Sequence, residues 1–211
     1  MCYNSSMSEK KLDRILFLGM DLSGKSETAA YAGRVLGRTT YGNLLGADRT
    51  FYRSAVARMG SEVLTGEEQV RVFEEIYLND LDNFQHQAAE HSLPAVQDNI
   101  GIVRVIAYNR HLGRNVCRLT EILESYPRPD LAIYLTCSKE ERLRRLESRA
   151  DQKKEDIYER LLRDDPKSFY DLDDYGLELS DETFGCEVID TTDLSVEETL
   201  AHVLKKVKGD G

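Results

Sequence analysis

An unbroken apolar run, Ile15 to Leu18, opens a pattern that repeats along the 211-residue chain. Apolar residues without polar alternation read as a strand buried on both faces. "SLPAVQD" (Ser92 to Asp98), "LAIYL" (Leu131 to Leu135) and "CEVID" (Cys186 to Asp190) have the same character, and a weaker strand signal lies at Arg38 to Tyr41. The intervening segments have helical spacing. From Glu67 to Glu90, Val70, Phe73, Tyr77, Leu81, Phe84 and Ala88 recur at steps of three and four, which defines one helical face. Ser138 with Glu141, and Ser195 with Glu198, have capping-box spacing that starts helices directly after strands. The last helix, Val196 to Val207, turns Leu200, Val203 and Leu204 inward and carries lysines near its C-terminus, where the dipole favours them. Strands alternating with helices predict an α/β fold, an approximately five-stranded parallel sheet with helices on both faces. Ligands of such sheets bind beyond the carboxyl ends of the strands. No repeat, low-complexity segment or linker divides residues 12–211, which are expected to form one domain.

The first strand runs into "GMDLSGKSETAA", and this junction carries the most specific chemistry. Gly19, Gly24, Lys25 and Ser26 match G-x-x-x-x-G-K-[ST], between a strand and a helix expected over Glu27 to Leu36. Glycines let successive backbone N–H groups curl around a di- or triphosphate without Cβ clashes. A helix beginning near Lys25 adds unpaired N–H groups and the positive end of its dipole. The loop residues Gly19, Met20, Asp21, Leu22, Ser23, Gly24, Lys25, Ser26 and Glu27 are therefore the expected nucleotide contacts. Lys25 would reach the β- and γ-phosphates of ATP, and the Ser26 hydroxyl would ligate Mg²⁺. The bland alternative is a glycine turn in an αβ unit that binds nothing.

Charge and composition narrow the partner. A formal net charge of −10 argues against a general nucleic-acid or membrane-surface binder. Basic residues do cluster between Arg142 and Arg163, but acidic ones interleave, which suits a small anionic ligand better than a duplex. Cys2, Cys117, Cys137 and Cys186 are scattered without metal-ligand spacing and read as reduced thiols. No apolar run approaches membrane-spanning length, and "MCYNSSMSEKK" lacks the apolar core of a signal peptide. Residues 1–11 are expected to be a mobile tail and the protein cytoplasmic.

The order of parts resembles a nucleoside monophosphate kinase, and most closely the thymidylate kinase family. Gly19, Asp21, Ser23, Gly24, Lys25 and Ser26 resemble that family's loop G-x-D-x-S-G-K-S. "PAVQD" resembles the family strand ending in an Asp-Arg pair, and "RPDLAIYLTCSKEERLRRLESR" the fourth strand and the helix leading to the arginine-bearing lid. "CEVIDTTDLSVEETLAHVLKKV" resembles the closing strand, adenine-side loop and last helix. The resemblance spans about Arg14 to Val207 and implies an ATP- and Mg²⁺-dependent kinase with a helical lid near residues 146–160. It gives Asp98 a role in holding a metal-bound water or orienting the acceptor; the alternative is a turn cap. Arg149 resembles a lid arginine that closes over the transferred phosphoryl group, with Arg145, Lys153 and Lys154 as competitors. Asp21 resembles the carboxylate facing the acceptor sugar, and Thr191 and Thr192 lie where a loop would touch adenine. Members of the family commonly dimerise through helices, so the apolar face of residues 67–90 has two candidate uses, a homodimer contact or packing on the sheet.

The departures from that pattern bear on the acceptor. Asn99 follows Asp98 where the family has an arginine for the acceptor phosphate, and Leu81 follows Asp80 where another arginine is expected. "TTYGNLL" lacks the arginine of the sugar-side strand, and Leu22 stands where some members have a loop arginine. Either the acceptor carries no phosphate in the usual place, or Arg49, Arg53 and Arg104 replace those contacts. "IAYNR", with Tyr108, resembles the family's Ala-Tyr-Gln element but lies one residue farther from Asp98. The expected partner is thus a small phosphoryl acceptor, a nucleoside, a nucleotide or another hydroxylated metabolite. Two other classes stay open. Asp98 to Gly101 fits the D-x-x-G of a GTPase switch, although no N-K-x-D follows. A nucleotide-binding protein without turnover would also explain the missing arginines.

Overall fold

The computed structural model describes residues 13–42, 44, 49–61, 63–90, 95–149 and 157–208. Five strands form one parallel sheet in the order β2-β3-β1-β4-β5: β1 (Arg14–Leu18), β2 (Thr39–Tyr41), β3 (Ala95–Asp98), β4 (Leu131–Thr136) and β5 (Cys186–Asp190). The expected tail at 1–11 and the first residues of the "SLPAVQD" run lie outside the described residues. β1 is central, with Phe17 beside Asp98 on one side and Ile133 on the other. That register brings the end of β3 next to the loop that leaves β1.

Burial on both faces explains the apolar runs of β1, β3 and β4, whereas β5, expected as a buried strand, lies at the sheet edge with Glu187 and Val188 exposed. Ile15, Phe17, Ile133 and Leu135 face α1 (Lys25–Leu36) and α9 (Val196–Lys208), where Ala29, Ala32, Leu200 and Val203 complete one core. Leu16, Leu18, Ala132 and Tyr134 face the opposite core. Its cover comes from α3 (Gly66–Glu90), α4 (Gly101–His111), α5 (Cys117–Glu124) and, later in the chain, α8 (Pro166–Phe184). The short helix α2 (Arg49–Ser61) packs on α3 chiefly through Ala55. The α3 stripe is spent in this core, with Val70, Tyr77 and Leu81 buried. Burial at about 25 cal/mol per Å² favours this packing for every apolar face so covered.

Helix ends follow local chemistry. Ser195 and Glu198 close a full capping box, each backbone N–H donating to the other's side chain. At Ser138 only half forms: its Oγ accepts from Glu141 N, while Arg144 and Arg145 hold the Glu141 carboxylate. α8 starts on Asp165, whose carboxylate accepts the Ser168 N–H ahead of Pro166 at the first helical position. Two more helices, α6 (Lys139–Arg149) and α7 (Ile157–Asp164), occupy the region expected as a lid, and residues 150–156 between them lie outside the described residues. No described helix is long and apolar enough to cross a membrane.

Candidate active site

The loop between β1 and α1 cannot be built from other residues at its first turn. Gly19 has φ +132°, and a Cβ there would lie 2.3 Å from the Leu135 carbonyl oxygen. Gly24, at φ +85°, precedes the first turn of α1 and has no side-chain cap, so the helix N-terminus is left open. Leu22 also has positive φ (66°), a cost carried by a non-glycine residue whose side chain is buried. Met20 and Leu22 anchor the loop in an apolar cluster with Ala107, Leu146, Leu162, Phe169 and Leu172, from α4, α6, α7 and α8. Asp21, Leu22, Gly24, Lys25, Ser26 and Glu27 border a small hollow at the loop mouth, with Ser26 and Glu27 exposed.

Charge gathers on Asp21. Its Oδ1 accepts from Arg104 Nη1 at 2.7 Å and lies 3.5 Å from Lys25 Nζ, while Oδ2 is buried without a hydrogen-bond partner. Burial alone would raise the Asp21 pKa, but the Arg104 and Lys25 charges outweigh it and hold the carboxyl below its ordinary value. Lys25 is buried; that desolvation lowers its pKa, opposed in part by Asp21. A pair of cations thus shares one carboxylate at the mouth of an open helix N-terminus, an arrangement that can transfer its positive charge to an arriving anion.

On one side of the loop, a cleft of about 280 Å³ is lined by Ser23, Gly24, Thr28, Arg145, Thr191 and Leu194, among others. Arg145 frames it, donating through Nη1 to Leu22 O and through Nη2 to Thr191 O, both at 2.9 Å, with Nε on Glu141. Thr191 lines this cleft. Thr192 instead spends its hydroxyl on Asp190 and accepts the Ser138 N–H. On the other side, Gly19, Met20, Asn99 and Arg104 meet in a narrow crevice. Asp98 ends β3, and its Oδ1 is buried without a partner. Asn99 follows at φ +71°, donates its N–H to Phe17 O and leaves Nδ2 buried and unpartnered. Gly101 of the D-x-x-G match is the first residue of α4.

The structure brings Asp98, Asn99, Arg104 and Arg145 to the loop, but it distributes the other candidates differently. Tyr108 lies half-buried on α4, edge-on to Tyr158 with ring centroids 5.9 Å apart. Arg53 is exposed on α2. Arg149 is the last residue of α6, and its side chain, like Lys153 and Lys154, lies outside the described residues. Asp80 and Leu81, aligned by sequence with an acceptor-binding pair, belong to the core: Asp80 accepts the Tyr126 hydroxyl at 2.7 Å and Leu81 is buried. Sequence reasoning missed Arg142, which is fully buried behind the loop, because nothing distinguishes it from its helix neighbours Arg144 and Arg145.

A divalent ion was expected on Ser26 and Asp98. Among the described residues no group of three or more His, Cys, Asp or Glu side chains is arranged to hold a metal. An exposed hydroxyl at the loop mouth and an orphaned carboxylate oxygen on the neighbouring strand fit an ion whose other ligands are water and phosphate oxygens, as Mg²⁺ prefers.

No protein-family model and no curated protein sequence matches the chain. Solved structures do. Thymidylate kinase from Candida albicans superposes with a TM-score of 0.62 at 18% identity, covering 94% of this chain and 92% of that one. Thymidylate kinase from Ehrlichia chaffeensis gives 0.61 at 15%, covering 92% and 97%. Deoxyadenosine kinase from M. mycoides, solved with bound dCTP, gives 0.58 at 16%, covering 93% and 99%. The sheet and its helical cover are thus those of one architecture, and this chain has the nucleotide-kinase fold shared by thymidylate and deoxyadenosine kinases.

Proposed function

We propose that this protein is a phosphotransferase that moves the γ-phosphoryl group of Mg·ATP to a hydroxyl of a nucleoside-like acceptor. The observation that carries the reading is the paired placement of Lys25 and Arg104 on Asp21 beside an open helix N-terminus. Phosphoryl transfer needs alignment and charge compensation more than covalent help. Lys25 and the loop amides would hold the polyphosphate of ATP, with the base in the cleft framed by Arg145 and Thr191. Bound Mg²⁺, held through Ser26 with Asp98 nearby, would offset charge on the phosphate oxygens. Arg149 is the lid residue proposed to close over the transferred group, completing the site only when substrate is bound.

The acceptor side favours a substrate without a phosphate. Asn99 offers a buried amide donor but no charge and Leu81 is in the core, which leaves Arg104, shared with Asp21, as the one cation among the described residues that line the crevice beside Asn99. One shared guanidinium is too little to desolvate a phosphate dianion there. Asp21, Asn99 and Arg104 would meet the acceptor, whereas Tyr108 packs against Tyr158 and Arg53 is too exposed to desolvate a ligand. The test is a screen for acceptor-dependent ADP formation with deoxynucleosides, nucleoside monophosphates and sugars, using ATP or GTP as donor. Deoxynucleosides should stimulate ATP consumption and thymidine monophosphate should do so poorly. Rapid turnover of thymidine monophosphate at low KM would overturn the acceptor assignment. GTP hydrolysis without an acceptor would overturn the kinase.

A further inference from the structure

Consecutive carbonyls of the loop are held from outside it. Asp21 O accepts from Arg142 Nη1 and Leu22 O from Arg145 Nη1, each at 2.9 Å; Ser23 O lies 2.9 Å from the Thr191 hydroxyl. In a trans peptide the next N–H points opposite to the carbonyl, and no cis peptide occurs among the described residues. Tying these carbonyls to α6 and the end of β5 therefore aims the amides of Leu22, Ser23 and Gly24 away from those elements. The anion-binding face of the loop is set by what holds its back.

Arg142 is the member of this set that has no place in the cleft. Its guanidinium is fully buried, with Nε on Cys137 O at 3.0 Å, Nη2 paired with Asp173, and the rings of Phe169 and Tyr170 within 6 Å of its central carbon at 5.1 and 5.8 Å. Asp173 is fixed by the Tyr134 hydroxyl, which donates to its Oδ1 at 2.6 Å. Gly176, one helical turn along α8, leaves room for that hydroxyl, which a Cβ would approach to 3.2 Å. A buried ion pair is often no more stabilising than apolar residues of the same volume. Stability alone gives little reason to bury this one behind the loop; the bond from Arg142 to Asp21 O does.

We propose that Arg142 and Asp173 are positioning residues, a buried clamp in which Asp173 orients the guanidinium and Arg142 holds the Asp21 carbonyl, so that the loop presents its N–H groups already oriented to the phosphates. The proposal rests on the reading of this loop as a nucleotide site. Preorganised donors bind more tightly because less ordering remains to be done on binding.

The test compares the full-length protein with Arg142→Lys and with the double variant Arg142→Met/Asp173→Asn, which leaves no unpaired charge. ATP affinity is measured by calorimetry with Mg²⁺, and amide hydrogen exchange is followed over residues 19–24 and over β4. A lysine head cannot span Asp21 O, Cys137 O and Asp173 together, so it should share much of the defect. ATP binding should weaken by about tenfold or more, by analogy with removal of supporting partners at other sites. Exchange at 19–24 should quicken while β4 keeps its protection. Wild-type affinity and wild-type loop exchange in a folded variant would overturn the clamp. A purely structural role would instead lower the melting temperature and β4 protection with ATP affinity intact, which also overturns it. If the double variant does not fold, Arg142→Lys decides by the same readouts. Failure of the wild-type protein to bind ATP would instead refute the nucleotide site itself.

Discussion

Asp21→Asn isolates the charge balance on which the site rests. The amide keeps the volume and an acceptor oxygen but removes the charge that Arg104 meets at 2.7 Å and Lys25 at 3.5 Å. Hydrogen bonds to charged groups contribute about 1.5–3 kcal/mol. The longer Lys25 contact adds Coulombic attraction of about 1 kcal/mol once residual solvent access is allowed for. The variant should lose about 2–4 kcal/mol, which for a domain of this size lowers Tm by roughly 5–15 °C. The pH dependence has a defined sign. Because Arg104 and Lys25 outweigh the effect of burial, the folded carboxyl titrates below its unfolded value of about 3.9. Its contribution is therefore complete above that value and disappears as pH falls through the folded pKa. Urea unfolding of both proteins across this range should give a full gap at neutral pH that closes in acid. No gap at neutral pH, or one that persists undiminished in strong acid, would refute the assignment. ATP should also raise Tm more in the variant, since its cations no longer leave a carboxylate to meet phosphate.

Other expectations follow from the same geometry. Lys25→Ala should reduce turnover by about a hundredfold or more with the fold retained, as steady-state kinetics and circular dichroism would report. Gly19→Ala places a methyl group 2.3 Å from Leu135 O at a φ that alanine disfavours, so calorimetry should detect no ATP binding. Tyr126→Phe removes the 2.7 Å donor to buried Asp80 and should cost about 1–3 kcal/mol in urea unfolding. Because Asp80 belongs to α3 and Tyr126 follows α5, outside the residues that line the loop, ATP affinity should be unchanged in that variant.

The sequence was most legible where one local rule decided the structure. Ile15 to Leu18, the glycines that follow, and Ser195 with Glu198 each state their conformation within a few residues. The long helix α3 was legible from its stripe, yet the same stripe carried Asp80 and Leu81 into the core and away from the acceptor side. That outcome depends on which partner covers the helix, and spacing along one chain does not specify the partner. α8 was not anticipated, although Asp165-Pro166 and Gly185 mark its ends; its acidic residues interrupt the apolar stripe of Phe169, Leu172 and Leu179. Arg142 was illegible for a different reason. An arginine among arginines on a polar helix reads as solvated, and only the tertiary fold lays it between Asp21 and Asp173. Which of Thr191 and Thr192 lines the cleft is a one-residue matter of how the chain turns after β5.

The most direct measurement is transfer of label from [γ-³²P]ATP in the presence of Mg²⁺ and a mixture of deoxynucleosides, with Lys25→Ala as control. The account predicts labelled deoxynucleoside monophosphate from the wild-type protein and almost none from the variant. Label recovered only as inorganic phosphate, or equal transfer by both proteins, would contradict it.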